Sequence, residues 1–247
     1  MANFWKKLIG MREKRRSFCT AIVAAAGRSQ RMNGGEKLLM DLLGQPVLVR
    51  TLQALDRSTL IDEIIVAARD DLMLEIADLC SRAEISKPIR VIKGGDTRLE
   101  SVLAAAVEAN PRAELIAVHD GARPLVRQEM VDELIRRGSG TYAVAPANAV
   151  FDTIKVTDEN ARVIDTPDRK TLFAVQTPQV FQASILKAAL QSALEAGMEI
   201  TDDCSAVERI GKEVYLIEGD PENIKITTPL DLVIAAAILE QRGRDLP

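Results

Sequence analysis

Near the start of this 247-residue chain, the apolar run Ala21-Ile22-Val23-Ala24-Ala25-Ala26 leads straight into Gly27, Arg28, Ser29, Gln30, Arg31, Met32, Asn33, Gly34, Gly35, Glu36 and Lys37. Small residues let backbone N–H groups approach a ligand closely. Phosphate suits such a loop because amides and nearby cations meet its charge without bulk in the way. Arg31 and Lys37 are the cations placed to do this, beside the backbone of Ala25, Ala26 and Gly27. A plain strand-to-helix turn with two solvated charges has the same composition. The string is neither a G-x-G-x-x-G fingerprint nor a Walker A loop.

A second chemical position is Asp120, which ends the apolar stretch Leu115–His119. In an open α/β sheet this is the carboxyl edge, where ligands bind. One carboxylate there can help hold Mg²⁺, which takes one or two carboxylates and completes its shell with substrate phosphates. The competing role is structural, with Asp120 capping the next turn and pairing with Arg123. His119 is the only histidine, and the three cysteines Cys19, Cys80 and Cys204 are far apart. Chemistry that needs a histidine base or cysteine nucleophile has almost no material here. Transfer of a phosphoryl or nucleotidyl group needs neither, because a phosphate monoester with a second pKa near ~6 is already a dianionic nucleophile at neutral pH.

These residues need a frame. Short Val- and Ile-rich runs at Ala21–Ala25, Glu63–Ala67, Ile89–Ile92, Leu115–His119, Tyr142–Ala145 and Val214–Ile217 read as buried strands. Between them lie helical patterns at Pro46–Asp56, Asp71–Arg82, Arg98–Ala109, Gln128–Arg137, Ala183–Ala196, Asp203–Ile210 and Pro229–Arg242. This alternation predicts a doubly wound α/β fold with a mostly parallel sheet. Gly197 and Gly211 are predicted helix stops, and Thr228-Pro229-Leu230-Asp231 a helix start. Asp152–Asp165 breaks the pattern: β-branched residues flank Asp158-Glu159-Asn160, predicting an inserted β-hairpin arm.

Composition narrows the classes. Apolar residues make up 47 % and aromatics 3 %, so a stacking platform for single-stranded nucleic acid is not expected. No apolar run reaches the roughly 18 residues of a membrane span. Scattered cysteines, odd in number, predict a reducing, cytoplasmic setting without structural zinc. Net charge is −4; residues 1–16 carry six basic residues against Glu13 alone, leaving the remainder at −9. The opening 1–18 reads as a basic, disordered extension, and 19–247 as a single domain.

The string A-A-G-x-x-x-R-M followed by a lysine resembles the signature loop of nucleotidyltransferases that activate sugar phosphates. Five further strings, in order, narrow the likeness: Gly94-Gly95-Asp96-Thr97-Arg98-Leu99-Glu100-Ser101-Val102, His119-Asp120-Gly121-Ala122-Arg123-Pro124, Thr177-Pro178-Gln179, Thr201-Asp202-Asp203 and Asn223-Ile224-Lys225-Ile226-Thr227. From about Ala21 to Asp231 the chain resembles the 2-C-methyl-D-erythritol 4-phosphate cytidylyltransferase family. The likeness implies that CTP and Mg²⁺ bind, with Arg31, Lys37, Arg169 and Lys225 as the catalytic cations. It assigns Ala25, Ala26, Gly27, Gly95, Asp96, Arg98, Ser101 and Arg123 to CTP, with Gly95, Asp96 and Ser101 facing the cytosine. Asp96 or Thr97 can also cap the helix from Arg98. Asp152, Thr153, Thr177 and Thr201 are assigned to the acceptor side, and Asp120 to the metal. A homodimer with exchanged arms is implied, each arm completing the partner's site. The chain departs from the family at Ala24 and Glu36, where proline is usual, and at Ser29, where glycine is usual. A sibling family that activates ribitol 5-phosphate shares the loop. A non-catalytic nucleotide-binding protein is the alternative of another class, set against it by the four cations kept together.

Overall fold

The computed structural model describes residues 16–27 and 36–244. Arg31 lies outside them, as do Ser29 and residues 1–15 of the basic extension. The core is a sheet built from β1 (Phe18–Ala25), β4 (Glu63–Ala68), β5 (Ile89–Lys93), β6 (Ala113–Asp120), β7 (Ala143–Ala149), β10 (Phe173–Val175), β11 (Gln179–Gln182) and β12 (Val214–Glu218). Two small hairpins, β2 (Asp41–Leu42) with β3 (Gln45–Pro46) and β8 (Val156–Thr157) with β9 (Val163–Asp165), stand apart from it. β5, β4, β1 and β6 run parallel, with Ala21 opposite Ile64 and Ala117.

Alternation along these strands sorts the apolar side chains onto two faces. Ala21, Val23, Ile64 and Val66 face one core with helices α1 (Val47–Asp56), α2 (Met73–Arg82), α4 (Gln128–Gly138) and α7 (Pro229–Arg244). Ile22, Ile65, Ile116 and Val118 face the other, with α3 (Arg98–Glu108), α5 (Ala183–Glu195) and α6 (Asp203–Arg209). Each fully buried Ile or Leu contributes about 2 kcal/mol by transfer from water, so helices on both faces are the arrangement that satisfies such strands. The doubly wound, mostly parallel sheet expected from the sequence is therefore present.

Helix ends follow local chemistry. Thr97 accepts the Glu100 N–H while the Glu100 carboxylate accepts the Thr97 N–H, a capping box that starts α3. Gly197 and Gly211 stop α5 and α6 at φ of +63° and +73°, a region glycine enters without steric cost. Asp231 Oδ2 accepts the N–H groups of Thr227 and Thr228, each at 2.8 Å, and secures the start of α7.

Three features differ from the sequence reading. β11 is antiparallel to both β6 and β7, and β10 is antiparallel to β7. Neither is signalled by its sequence, since β10 has three residues and β11 four, too few to show a period. The hairpin is shorter than Asp152–Asp165: its paired residues are confined to β8 and β9, and Asp158 closes the turn by accepting the N–H groups of Asn160 and Arg162 at 3.0 Å. β1 begins at Phe18, not Ala21, and Arg16 pairs with Asp62 at 2.8 Å, so the domain takes in the end of the expected extension 1–18.

Candidate active site

Because β1, β4, β5, β6, β7 and β12 run the same way, their carboxyl ends share one edge. A cleft opens there, lined by Ala24–Gly27 and Lys37, by Gly95–Arg98 and Ser101, by Asp120–Ala122, and by Lys225. Four of the sequence motifs thus meet in one place. Gly94 shows why they fit so closely: a Cβ on it would lie 2.7 Å from Ala26 Cβ and 2.9 Å from Ser101 Oγ. Only a residue without a side chain lets the β5 exit lie against the β1 exit.

Asp120 is the electrostatic centre. Its Oδ1 accepts from Arg98 Nη1 at 2.7 Å, and its Oδ2 from Arg123 Nε at 3.1 Å and Lys225 Nζ at 3.0 Å. Burial alone would raise this carboxyl, but Arg98, Lys225 and Arg123 together outweigh it and hold the group far below the ordinary carboxylate range. The cluster carries one anion for three cations before Asp203 is counted. Asp203, wholly buried at the start of α6, accepts from Arg98 Nη2 at 2.7 Å and Nε at 3.2 Å. Its other oxygen, Oδ1, has no hydrogen-bond partner, and burial pushes the carboxyl up against the pull of Arg98.

His119 has no exposed surface. Its Nε2 faces the Arg123 carbonyl at 3.1 Å, and its Nδ1 faces Thr177 Oγ1 at 3.0 Å. A carbonyl only accepts, so Nε2 carries the proton; Nδ1 then accepts from Thr177, whose oxygen accepts the Asp120 N–H at 3.0 Å. Burial pulls the imidazole down to about 4. It is a neutral strut that fixes the backbone at Asp120. Asn223 extends the strut, donating to the Thr177 carbonyl at 2.9 Å, while its own carbonyl accepts from Arg123 Nη1 at 2.7 Å.

The Gly94–Ser101 segment is held by its own groups. Ser101 Oγ accepts the Gly95 N–H at 3.1 Å and donates to the Thr97 carbonyl at 2.8 Å, and Glu100 receives the N–H groups of Asp96 and Thr97. Ser101 is largely buried and its hydroxyl shapes this turn, and with Gly95 and Asp96 it also lines the cleft. Arg98 spends both faces of its guanidinium on Asp120 and Asp203.

On the acceptor side the structure divides the expected residues. Thr177 lies buried beneath Asp120. Thr201 is exposed just before α6, whose cap Asp202 also accepts from Gln179 Nε2 at 2.7 Å. Arg169 donates to the Phe151 carbonyl at 3.0 Å, so it stands next to Asp152 and Thr153 at the root of the arm. These three do not line the cleft that holds Lys37 and Asp120.

Two relationships were not anticipated: the pairing of Asp203 with Arg98, and an ion pair between Glu36 and Arg69 at 2.6 Å. Their residues lie 105 and 33 positions apart, and no local pattern in the sequence links them. Asp120 does not fit direct metal ligation in this arrangement, since both its oxygens already face cations. Among the described residues no group of three or more His, Cys, Asp or Glu side chains is placed to hold a metal ion.

Parallel strands ending at a glycine-lined, cation-rich cleft define an α/β enzyme of the nucleotidyltransferase class. The model of the family described as 2-C-methyl-D-erythritol 4-phosphate cytidylyltransferase (IspD) matches residues 19–241. Enzymes of that name from Caldanaerobacter subterraneus subsp. tengcongensis and Geobacillus kaustophilus are 42 % and 43 % identical over 228 and 223 residues; each alignment covers 90 % of this chain, and 99 % and 97 % of the relative. The crystal structure of 4-diphosphocytidyl-2C-methyl-D-erythritol synthase from Anaerococcus prevotii superposes with a TM-score of 0.81 at 32 % identity, covering 91 % of this chain and 99 % of that one. The Thermus thermophilus 2-C-methyl-D-erythritol 4-phosphate cytidylyltransferase gives 0.73 at 29 %, covering 90 % and 99 %. The chain belongs to the 2-C-methyl-D-erythritol 4-phosphate cytidylyltransferase family.

Proposed function

We propose that the chain transfers a cytidylyl group from CTP to 2-C-methyl-D-erythritol 4-phosphate, a step in isoprenoid precursor synthesis. The acceptor phosphate dianion attacks the α-phosphorus in line. A new P–O bond forms, the bond from the α-phosphorus to the bridging oxygen breaks, and pyrophosphate leaves with that oxygen. The observation that carries this reading is the convergence of Lys37, Lys225 and the Asp120 cluster on one glycine-lined cleft.

In this reading CTP lies across the β1 exit, with its phosphates over Ala25, Ala26 and Gly27 and its base toward Gly95 and Asp96. Ser101 supports the base site by holding the Gly95 N–H. Lys37 and Arg31 neutralise charge on the α-phosphoryl oxygens and leaving pyrophosphate, where preorganised cations act most strongly; the role of Arg31 rests on the resemblance alone. Lys225, oriented by Asp120, receives the acceptor phosphate. Arg98 and Arg123 keep Asp120 ionised and aimed. Mg²⁺ accompanies the triphosphate, whose oxygens suit a hard cation better than the saturated Asp120 carboxylate.

The active form is a homodimer in which each arm brings Asp152, Thr153 and Arg169 to the acceptor side of the partner's site, with Thr201 and Thr177 on the resident side. Phe151, Val163 and Ile164 are more than half exposed on the isolated arm, an apolar surface that a second copy would cover. Incubation of the purified protein with CTP, Mg²⁺ and a panel of polyol phosphates tests the whole reading. The expected product is 4-diphosphocytidyl-2-C-methyl-D-erythritol, with one pyrophosphate per turnover; preference for ribitol 5-phosphate, or binding without turnover, refutes it.

A further inference from the structure

We infer that the Glu36–Arg69 ion pair is the positioning device for Lys37, and that Arg69 serves CTP turnover through it; this rests on the cytidylyl-transfer reading above. Arg69 is the first residue beyond β4, whose Ala68 is in register with Ala25 of β1, so it stands beside the point where the glycine loop departs. Its Nη2 lies 2.6 Å from Glu36 Oε1, at the point where that loop returns, and its Nε lies 2.5 Å from Asp71 Oδ1. The pair is partly screened from water, with the Arg69 and Glu36 side chains 21 % and 31 % exposed.

Lys37 is bracketed by this contact. On one side Glu36 is fastened to Arg69, and its carbonyl accepts the Leu39 N–H at 2.9 Å. On the other side Leu38 is buried in the core and its carbonyl accepts the Leu48 N–H at 2.9 Å. With both neighbours anchored, the lysine enters the cleft from a fixed backbone position. The charge balance matters as much as the geometry. Glu36 is a carboxylate adjacent in sequence to a phosphate-binding cation, and without Arg69 it would oppose a triphosphate and compete for the Lys37 ammonium. Removing Arg69 alone therefore leaves a bare carboxylate beside Lys37, whereas removing Glu36 as well does not.

The experiment measures kcat and KM for CTP and for the acceptor in wild type, Arg69→Ala, Arg69→Lys, Glu36→Gln and the Arg69→Ala/Glu36→Gln double variant, with Tm recorded for each. Arg69→Ala is expected to lower kcat/KM for CTP about ten-fold, through both constants, with KM for the acceptor unchanged. Glu36→Gln costs less, roughly three-fold, because it weakens the anchor at residue 36 without leaving a bare carboxylate. The double variant recovers to the level of Glu36→Gln, a rescue that a merely structural Arg69 would not produce. Arg69→Lys, which keeps the charge but not the two separate nitrogens that reach Glu36 and Asp71, falls between wild type and Arg69→Ala. Wild-type constants in Arg69→Ala, or a double variant no better than Arg69→Ala, overturns the inference. Should Arg69→Ala not fold, Glu36→Gln and Arg69→Lys decide: a Glu36→Gln enzyme with wild-type kcat/KM overturns it. A wild-type protein that releases no pyrophosphate refutes the functional reading instead.

Discussion

Arg98 Nη2 stands 2.7 Å from Asp203 Oδ2, a carboxylate with no exposed surface. The same guanidinium reaches Asp120 with its Nη1, so the start of α6 sets the angle at which Asp120 meets the cleft. Asp203→Asn keeps the shape and removes the charge. Breaking one partner of a buried pair costs about 3 kcal/mol, and urea unfolding should show a loss of that order. Turnover should fall together with stability, because Arg98 would then be shared by nothing but Asp120.

His119 supplies a pH signature in stability. Its folded pKa of about 4 lies below the ordinary 6.5, so the unfolded chain takes up a proton that the folded chain refuses. Stability is therefore whole above pH 6.5 and declines as the pH falls toward 4. Between pH 7.5 and 5.0 the loss attributable to this residue is about 2 kcal/mol, measurable by urea unfolding at the two values. His119→Gln should flatten that difference, at the cost of a lower stability at pH 7.5.

Lys37→Ala should reduce kcat roughly 100- to 1,000-fold, the scale for removing one preorganised charge from a transition state. Nucleotide affinity, followed by titration with CTP, should change far less. Full kcat in a pyrophosphate-release assay would remove Lys37 from the chemistry.

The arm carries a prediction about assembly. Ile164 is 58 % exposed and Phe151 82 % exposed, and Ile164→Asp should shift the protein from dimer to monomer in sedimentation at micromolar concentration. The monomer should retain CTP binding but lose turnover, since Asp152, Thr153 and Arg169 would no longer reach a neighbouring site. An active Ile164→Asp monomer would show that each chain is self-sufficient.

Much of this was legible in the linear chain. The helices α1 through α7 begin and end within about two residues of their predicted bounds, because Gly197, Gly211, the Thr97–Glu100 box and Pro229 act locally. The central parallel strands β1, β4 and β6 were visible as Val- and Ile-rich runs because both their faces are buried, while β5 and β12 at the flanks were visible although Arg90, Tyr215 and Leu216 are exposed. β10 and β11 were not, because they are short and take their identity from the strands beside them.

For the site, the order of motifs along the chain was enough to nominate Lys37, Gly95, Asp96, Asp120 and Lys225, and one histidine with three scattered cysteines left little material for histidine or cysteine chemistry. Only the tertiary structure decided how those residues are used. Asp120 is the centre of three cations, Ser101 braces the Gly95 turn while lining the cleft, and His119 is a neutral strut. Glu36, a departure from the family pattern, acquired Arg69 as a partner. Local signals report backbone preference within a few residues. The charge state and orientation of a side chain depend on neighbours brought from 22 to 105 positions away, as Asp120 and Asp203 are brought to Arg98.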